Sequence, residues 1–517
     1  MIMTNKILLA VLVLVLASCT KNFETFNRDP YGVTEDEIAR IPQGGGQLVD
    51  LQKLVVPQQE NTWQMCFDLF ATGYAGYAAQ TKFTSDYPVY NPRTGWVNYP
   101  FDDTYPKIYK AYYELEKLAK GDMGKYYYAW GTVLRVAITQ WLTDIYGPLP
   151  YSQMKAGQFG VVYDNQRDLY LAMCEDLKTA TTHLQAVDAA DRQYASFDLV
   201  YGGDMKKWVK YANSLLLRIA TRMSKAAPNE AKTYAEYAVS NGVITENVDN
   251  AQLSNSDNPA FKVSATWGDS RVGAEITEYM NAFSDPRREK YFTSVAARTA
   301  GKQFFGLRSG GNPNITVVGA NYSMPNITAN SPIVWISASE VALLKAEGAL
   351  NGWNMGETAE TLYTKGIELS FDQWGAGLGN YLTNTSQRGN FADELTPGFS
   401  VDFYSPITVN WQEAAGNKEK QLSKIITQKW IAMFPYGAQE AWAEWRRTGY
   451  PNMLPVAVNN SGGAVTTVKQ VDGKDRGGMR RLPFSTAEYL NNTVNVKAAV
   501  GFLGGPDTGG TDLWWAK

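Results

Sequence analysis

The amino-acid sequence predicts a mainly α fold: a tetratricopeptide-like scaffold of helical pairs (an α/α superhelix) carrying a loop-rich lobe. Three observations predict it. Long stretches repeat apolar residues at helical spacing. These stretches come in pairs with short breaks of Gly or Pro between them. Two regions, 81–106 and 250–332, lose the helical pattern and fill with Pro, Gly, Asn and aromatic residues.

Taken in order, 109–118 places apolar residues at helical spacing, with Lys and Glu on the other face. A longer helix covers 126–146, and Gly147-Pro148 stops it because proline has no amide hydrogen to continue the ladder. Residues 166–184 repeat the pattern with Asp168, Glu175 and Asp176 on the wet side. Helix 205–224 turns Leu215, Leu216, Leu217, Ile219 and Ala220 inward, and 228–241 follows. Residues 337–350 and 357–374 make a pair broken at Gly352, and 424–434 with 439–447 make the last. Ala342, Ala346 and Ala349 are small enough for close packing against Tyr363 and Ile367. Pairs of about 34 residues with this alternation suggest tetratricopeptide-like repeats. The period is not strict, and ordinary antiparallel pairing builds the same scaffold. The second loop region contains Gly310-Gly311-Asn312-Pro313 and the apolar alternation Thr316-Val317-Val318. Residues 461–478 read as a surface excursion with a hairpin.

The N-terminus reads as an export signal. Lys6 gives positive charge, 7–16 is an uninterrupted apolar run, and Leu16-Ala17-Ser18-Cys19 follows. The run is half the ~20 residues needed to span a bilayer. Its end resembles the bacterial lipobox, in which the cysteine is lipidated and becomes the first residue; an ordinary secretory signal is the alternative. The expected layout is a signal peptide at 1–18, a lipidated polar tether at 19–31 starting with Cys19, and a single domain at 32–517.

Composition excludes several functions. A net charge of −3 argues against nucleic acid, whose phosphates need a basic surface. One histidine, His183, rules out zinc sites built on paired histidines. His183 sits at the polar end of a helix, where an exposed residue is expected rather than a triad member. After Cys19, Cys66 and Cys174 remain, each in an apolar setting, so two free buried thiols are expected rather than a disulfide. No cofactor is implied, and no calcium-loop spacing appears around Asp102, Asp103 or Asp269. The 13% aromatic content suits stacking on the apolar faces of sugar rings, although large cores also bury many aromatics.

Several motifs then occur in order. Trp141-Leu142-Thr143-Asp144-Ile145-Tyr146-Gly147-Pro148-Leu149-Pro150-Tyr151-Ser152 ends a helix in a sharp bend. Tyr163-Asp164-Asn165-Gln166 opens the next, Trp208 to Arg222 forms a central helix, and Ser284-Asp285-Pro286-Arg287 follows. Glu347-Gly348-Ala349, Ile426-Thr427-Gln428-Lys429-Trp430, Trp442 to Pro451, Arg480-Arg481-Leu482-Pro483-Phe484 and the terminal Trp514-Trp515-Ala516-Lys517 complete the series. Together they resemble the SusD/RagB family of outer-membrane lipoproteins, over nearly the whole chain. The resemblance implies a SusD-like domain at the cell surface, lipid-anchored in the outer membrane. It implies non-catalytic glycan binding and delivery to a SusC-type TonB-dependent transporter. It also implies a sugar site on the loop-rich lobe, fed by 81–106 and 250–332. The candidates there are Tyr90, Trp96, Asn98, Tyr99, Trp267 and Tyr322. In an extended chain Trp96 and Asn98 would face one way.

The matched arginines, Arg218, Arg222, Arg446 and Arg447, are expected in buried ion pairs between helices, with Asp144 or Glu440 as partners. Trp514 and Trp515 are expected to pin the C-terminus. Two other functions compete. A glycoside hydrolase needs two carboxylates across a scissile bond, and the adjacent Asp102-Asp103 is a poor pair because sequence neighbours point apart. A helical-repeat scaffold that binds only protein, or a receptor for a non-sugar nutrient, would share the same architecture.

Overall fold

A computed structural model describes residues 42–155, 157–158, 160–254, 256–296, 302–311 and 321–517. The signal peptide, Cys19, the tether and Thr316-Val317-Val318 lie outside the described residues. Residues Gly46–Lys517 form one compact unit.

Helix starts follow from capping. Asn165 accepts from the Asp168 amide at the start of Gln166–Gln185, and Asp204 accepts from the amides of Lys206 and Lys207 at the start of Met205–Arg222. Ser337 and Thr358 do the same for Ala338–Leu350 and Ala359–Gln373. Each such cap satisfies an amide that the first turn leaves unpaired, for about 1 kcal/mol. In chain order the principal helices are α1 (Gly45–Val55), α2 (Glu60–Trp63, continuing π-helical over Gln64–Thr72), α3 (Thr94–Ala119) and α4 (Tyr126–Tyr146). Then come α5 (Gln166–Gln185), α6 (Met205–Arg222), α7 (Pro228–Ser240) and α8 (Ala274–Ala282). The last are α9 (Ala338–Leu350), α10 (Ala359–Gln373), α11 (Lys418–Ala432), α12 (Ala438–Thr448) and α13 (Thr493–Leu503).

Helices α3 to α7 pack each on the next, and α9 packs on α10, α11 and α6. Glycines set the closest approaches: a Cβ on Gly131 of α4 would strike Leu115 of α3, and one on Gly366 of α10 would strike Leu343 of α9. Sequential antiparallel helices closing on a shared core are the helical-pair scaffold that the periodicity predicts.

One element is longer than predicted. Helix α3 begins at Thr94, so 94–106 is helix and not loop, with Pro100 and Pro106 inside it. Each proline inside a helix costs ~3 kcal/mol. Val97, Phe101, Thr104, Tyr105, Ile108, Tyr112 and Leu115 are all buried at three- and four-residue spacing. Burying a large apolar side chain stabilises by roughly 1.5–3 kcal/mol, so the buried face outweighs the two lost backbone bonds. The sequence pattern also does not predict α1, α2, α8 or α13.

Strands are few and short. β1 (Ala78–Gln80) pairs antiparallel with β3 (Ser270–Val272), and β2 (Ala251–Leu253) with β4 (Ile333–Ile336). β5 (Lys469–Val471) and β6 (Lys474–Arg476) form the hairpin expected in 461–478. Its turn residues Asp472 and Gly473 both have positive φ, the conformation a two-residue hairpin turn requires.

A charged cluster lies at the centre of the helices. Arg222 of α6 meets Glu440 of α12 at 2.5 Å and Asp144 of α4 at 3.5 Å, and it also bonds Glu444. Arg218 bonds Glu340 of α9 at 2.8 Å, and Lys429 of α11 bonds Glu440 at 2.9 Å and Glu444 at 3.2 Å. Arg447 joins Glu347 and Glu444 at 2.6 and 2.7 Å. Burial pushes the Glu444 carboxyl up, but Arg447, Lys429 and Arg222 together hold it well below the usual range. Arg446 departs from the expectation. No carboxylate lies within ion-pair reach of it among the described residues. Instead its Nη1 donates to the carbonyls of Asp144 and Arg480 at 2.6 and 2.7 Å, and its guanidinium lies over Trp442. Trp515 is fully buried against this cluster and Trp514 packs edge-on to Tyr170, which seats the C-terminus. Cys66 and Cys174 are free and buried.

Candidate ligand-binding site

The two loop regions meet where β1 pairs with β3. The register sets Ala79 opposite Arg271 and Gln80 opposite Ser270, which brings 81–96 beside 267–271. Thr81 extends the pairing: its amide donates to the Asp269 carbonyl at 2.9 Å and its hydroxyl to the Gly268 carbonyl at 2.6 Å. Lys82 then reaches across, donating to the Trp267 carbonyl at 2.8 Å and to Asp269 Oδ1 at 2.5 Å. Gln64 of the π-helical segment donates to Asp269 Oδ2 at 2.8 Å, so both carboxylate oxygens are taken. Behind them Asp68 accepts from Gln80 and Ser270, and burial lifts its carboxyl to about 6.

Beyond Lys82 the chain turns back on itself. Phe83 has φ +58°, a left-handed conformation that a bulky residue adopts only when its surroundings hold it there. Asp86 holds it. The Asp86 amide donates to the Phe83 carbonyl, its carbonyl accepts from Asn91, and its carboxylate accepts from Arg93 Nε at 2.7 Å. The result is a half-buried aromatic shelf. Phe83 stands edge-on to Trp96 with centroids 5.1 Å apart, and buried Tyr87 lies parallel to Trp96 at 6.5 Å. The Arg93 guanidinium lies over the Trp96 ring, 4.5 Å from its centroid.

The predicted residues divide. Trp96 is the centre of the shelf. Trp267 is half-buried, and its carbonyl anchors Lys82. Because 94–106 is helical, Trp96 and Asn98 point about 200° apart and do not share a face. Asn98 is committed to Thr486, donating to its hydroxyl at 2.6 Å and accepting from its amide at 3.2 Å. Tyr99 is half-buried, its hydroxyl 3.3 Å from that of Thr62. Tyr90 is 6% exposed and packed on Tyr74, and Tyr322 is 3% exposed with its hydroxyl donating to Asp393. The rings of Tyr90 and Tyr322 are core, so neither is a stacking surface. Tyr90 and Asn98 instead line a separate cavity of about 270 Å³ with Pro483, Phe484 and Asp507.

Sequence reasoning missed Lys82, Phe83 and Arg93. Their signal was local: a Lys-Phe pair just past β1, and an arginine three residues before Trp96. Among the described residues no group of His, Cys, Asp and Glu is arranged to hold a metal ion. Asp103 is paired with Lys107 and Asp269 with Lys82.

Comparison with known proteins places this architecture. The family model described as SusD-like, "Susd and RagB outer membrane lipoprotein", matches residues 25–516. The chain belongs to the SusD-like family. A SusD homolog from Bacteroides thetaiotaomicron is 38% identical, with a TM-score of 0.84 over 92% of this chain and 99% of that one. A SusD homolog from Bacteroides ovatus is 36% identical, with the same TM-score and coverage. A chitin-binding SusD homolog from Flavobacterium johnsoniae is 33% identical, with a TM-score of 0.83 over 92% of this chain and 99% of that one. A comparison with curated proteins finds no match. SusD-like proteins are non-catalytic binding proteins, and this chain is one of them. Among the described residues no helix is long and apolar enough to cross a membrane.

Proposed function

We propose that this SusD-like protein binds glycan at the cell surface, without chemistry, and passes it to a partner TonB-dependent transporter of the SusC type. The observation that carries the binding step is the Phe83–Trp96 shelf, a pair of half-buried aromatic rings, one on the turn before α3 and one in its first turn, edged by Lys82 and Arg93. Aromatic faces bury the C–H faces of pyranose rings, while amides and charged groups bond the hydroxyls. A 33% identical relative described as chitin-binding supports a saccharide ligand. In this reading Cys19 carries the lipid, 19–31 tethers the protein to the outer membrane, and 32–517 is the single binding domain. Trp267, whose carbonyl holds Lys82, and Tyr99 serve as secondary contacts.

The test is affinity electrophoresis of wild type and Trp96→Ala against a panel of plant, fungal and host polysaccharides. At least one polymer should retard the wild type and lose at least ~90% of that affinity on substitution, as expected for removal of a central aromatic anchor. Retardation by no polysaccharide, with saturable binding of a peptide or other nutrient, would replace the glycan with that ligand. Co-purification with an outer-membrane transporter from native membranes tests the second step.

A further inference from the structure

We infer that the glycan taken by this shelf is an acidic one, bearing carboxylate or sulfate groups. The inference rests on the glycan-binding reading above and adds the ligand's charge class.

Three observations carry it. First, a cation lies on the aromatic shelf itself. The Arg93 guanidinium lies over the Trp96 ring and Tyr87 lies parallel to that ring, so a ligand reaching the shelf meets Arg93 together with the indole. Second, charges at the site are layered by sign. The side chains of Lys82 and Arg93 are 44% and 57% exposed, whereas those of Asp269 and Asp86, their partners, are 7% and 6% exposed. An approaching group meets the cations first and the carboxylates only beneath them. Third, the cations have donors to spare. Arg93 bonds Asp86 through Nε alone, and neither Nη group meets an acceptor among the described residues. Two parallel N–H groups on a guanidinium match the paired oxygens of a carboxylate or sulfate, and such charge-assisted bonds are about twice as strong as neutral ones. Lys82 uses two of its three N–H bonds, on Trp267 and Asp269, and keeps one. The nearby Glu60 is paired with Lys262 at 2.9 Å, so it does not cancel the exposed cations.

The experiment compares matched polymers by isothermal titration. Polygalacturonate is set against its carboxyl-reduced form, and chondroitin sulfate against desulfated, carboxyl-reduced chondroitin. Full-length mature protein is used, as wild type and as Arg93→Gln. Wild type should bind at least one acidic polymer about tenfold or more tightly than its neutral counterpart, the gain expected from charge-assisted bonds. That preference should shrink several-fold between about 50 and 500 mM salt, because both cations are solvent-exposed. Arg93→Gln should bind the acidic and neutral forms within about threefold of each other, as loss of the bidentate donor predicts. The arm that responds distinguishes carboxylate from sulfate.

Equal or tighter binding of the neutral forms by wild type overturns the inference, as does a preference that survives in Arg93→Gln. If Arg93→Gln does not fold, the wild-type comparison and its salt dependence decide alone. Binding of neutral polymers only would leave the glycan reading standing and sink the charge class. Binding of none of the four overturns the charge class, and the glycan reading falls with it only if the wider polysaccharide panel also gives no binding.

Discussion

Arg447 clasps Glu347 with both guanidinium amino groups, Nη1 on Oε1 at 2.6 Å and Nη2 on Oε2 at 2.7 Å, and so locks α12 to α9 from residues a hundred positions apart. Both side chains are almost wholly buried. The wider cluster pairs Arg218, Arg222, Lys429 and Arg447 with Asp144, Glu340, Glu347, Glu440 and Glu444, while Arg446 bonds backbone carbonyls beside it. Taking one member away leaves a charge in the core with no counterpart. Arg447→Met should therefore cost about 3–5 kcal/mol, the usual penalty for breaking a buried pair from one side. Urea denaturation measures it, and a loss below about 1 kcal/mol would show that water reaches the cluster.

Glu275 supplies a pH signature. Burial pushes its carboxyl up to about 7, against opposing contributions from its own amide, Arg308 and Arg388. The folded state thus holds this proton more tightly than the unfolded chain. The stability this confers is complete below the unfolded value near 4.5 and is lost as pH rises to about 7. Glu275→Gln removes this pH dependence. Its stability relative to wild type should rise on going from pH 4 to pH 8, by on the order of 3 kcal/mol. Parallel stability–pH curves for the two proteins would contradict this.

Gly306 and Gly273 seat the loop lobe on β3. A Cβ on Gly306 would run into the Gly273 carbonyl and the Thr277 hydroxyl, and one on Gly273 would run into the carbonyl of Gly76. Backbone cannot yield as a side chain can. Gly306→Ala should lower stability by about 1–3 kcal/mol through overpacking. An unchanged thermal midpoint would mean that the lobe has room to shift.

Phe83 separates binding from stability. Its left-handed backbone stores strain of order 1–3 kcal/mol that glycine would not carry. Phe83→Gly should therefore change stability by less than about 1 kcal/mol despite losing an aromatic ring. Glycan affinity should nevertheless fall several-fold. A large drop in stability would place Phe83 among core residues instead.

Cys19→Ala should move the protein from the membrane fraction to the soluble fraction and leave glycan affinity unchanged. Loss of both together would mean that the anchor also shapes the binding domain.

Much of the helical scaffold was legible. Residues 126–146 and 205–224 were readable because each combines apolar helical spacing with a local end signal, the Gly147-Pro148 stop for the first and the Asp204 cap for the second, and such signals survive without knowledge of the partner. The ion pairs of Arg218, Arg222 and Arg447 were foreseeable because an arginine in an otherwise apolar helix needs a buried carboxylate. Helix α3 was not. Pro100 and Pro106 disfavour a helix locally, and only the core receiving Val97, Phe101 and Tyr105 outweighs that local preference.

The site divides along the same line. Composition and motif order determined, without coordinates, that the chain is a helical, His-poor binder of the SusD-like kind, and they singled out Trp96 in its first loop region. Whether an aromatic residue is core or surface depends on what lies across from it. Tyr90, Tyr322 and Trp96 look alike in sequence, yet two are packed away and one is half-exposed. The pairing of β1 with β3 joins segments about 190 residues apart and sets Lys82 on Asp269. Only that tertiary contact, together with the turn pinned by Asp86, decides where Phe83 and Arg93 stand around Trp96. Local sequence encodes helix periodicity and caps because these act within a few residues. It does not encode a shelf assembled by long-range pairing.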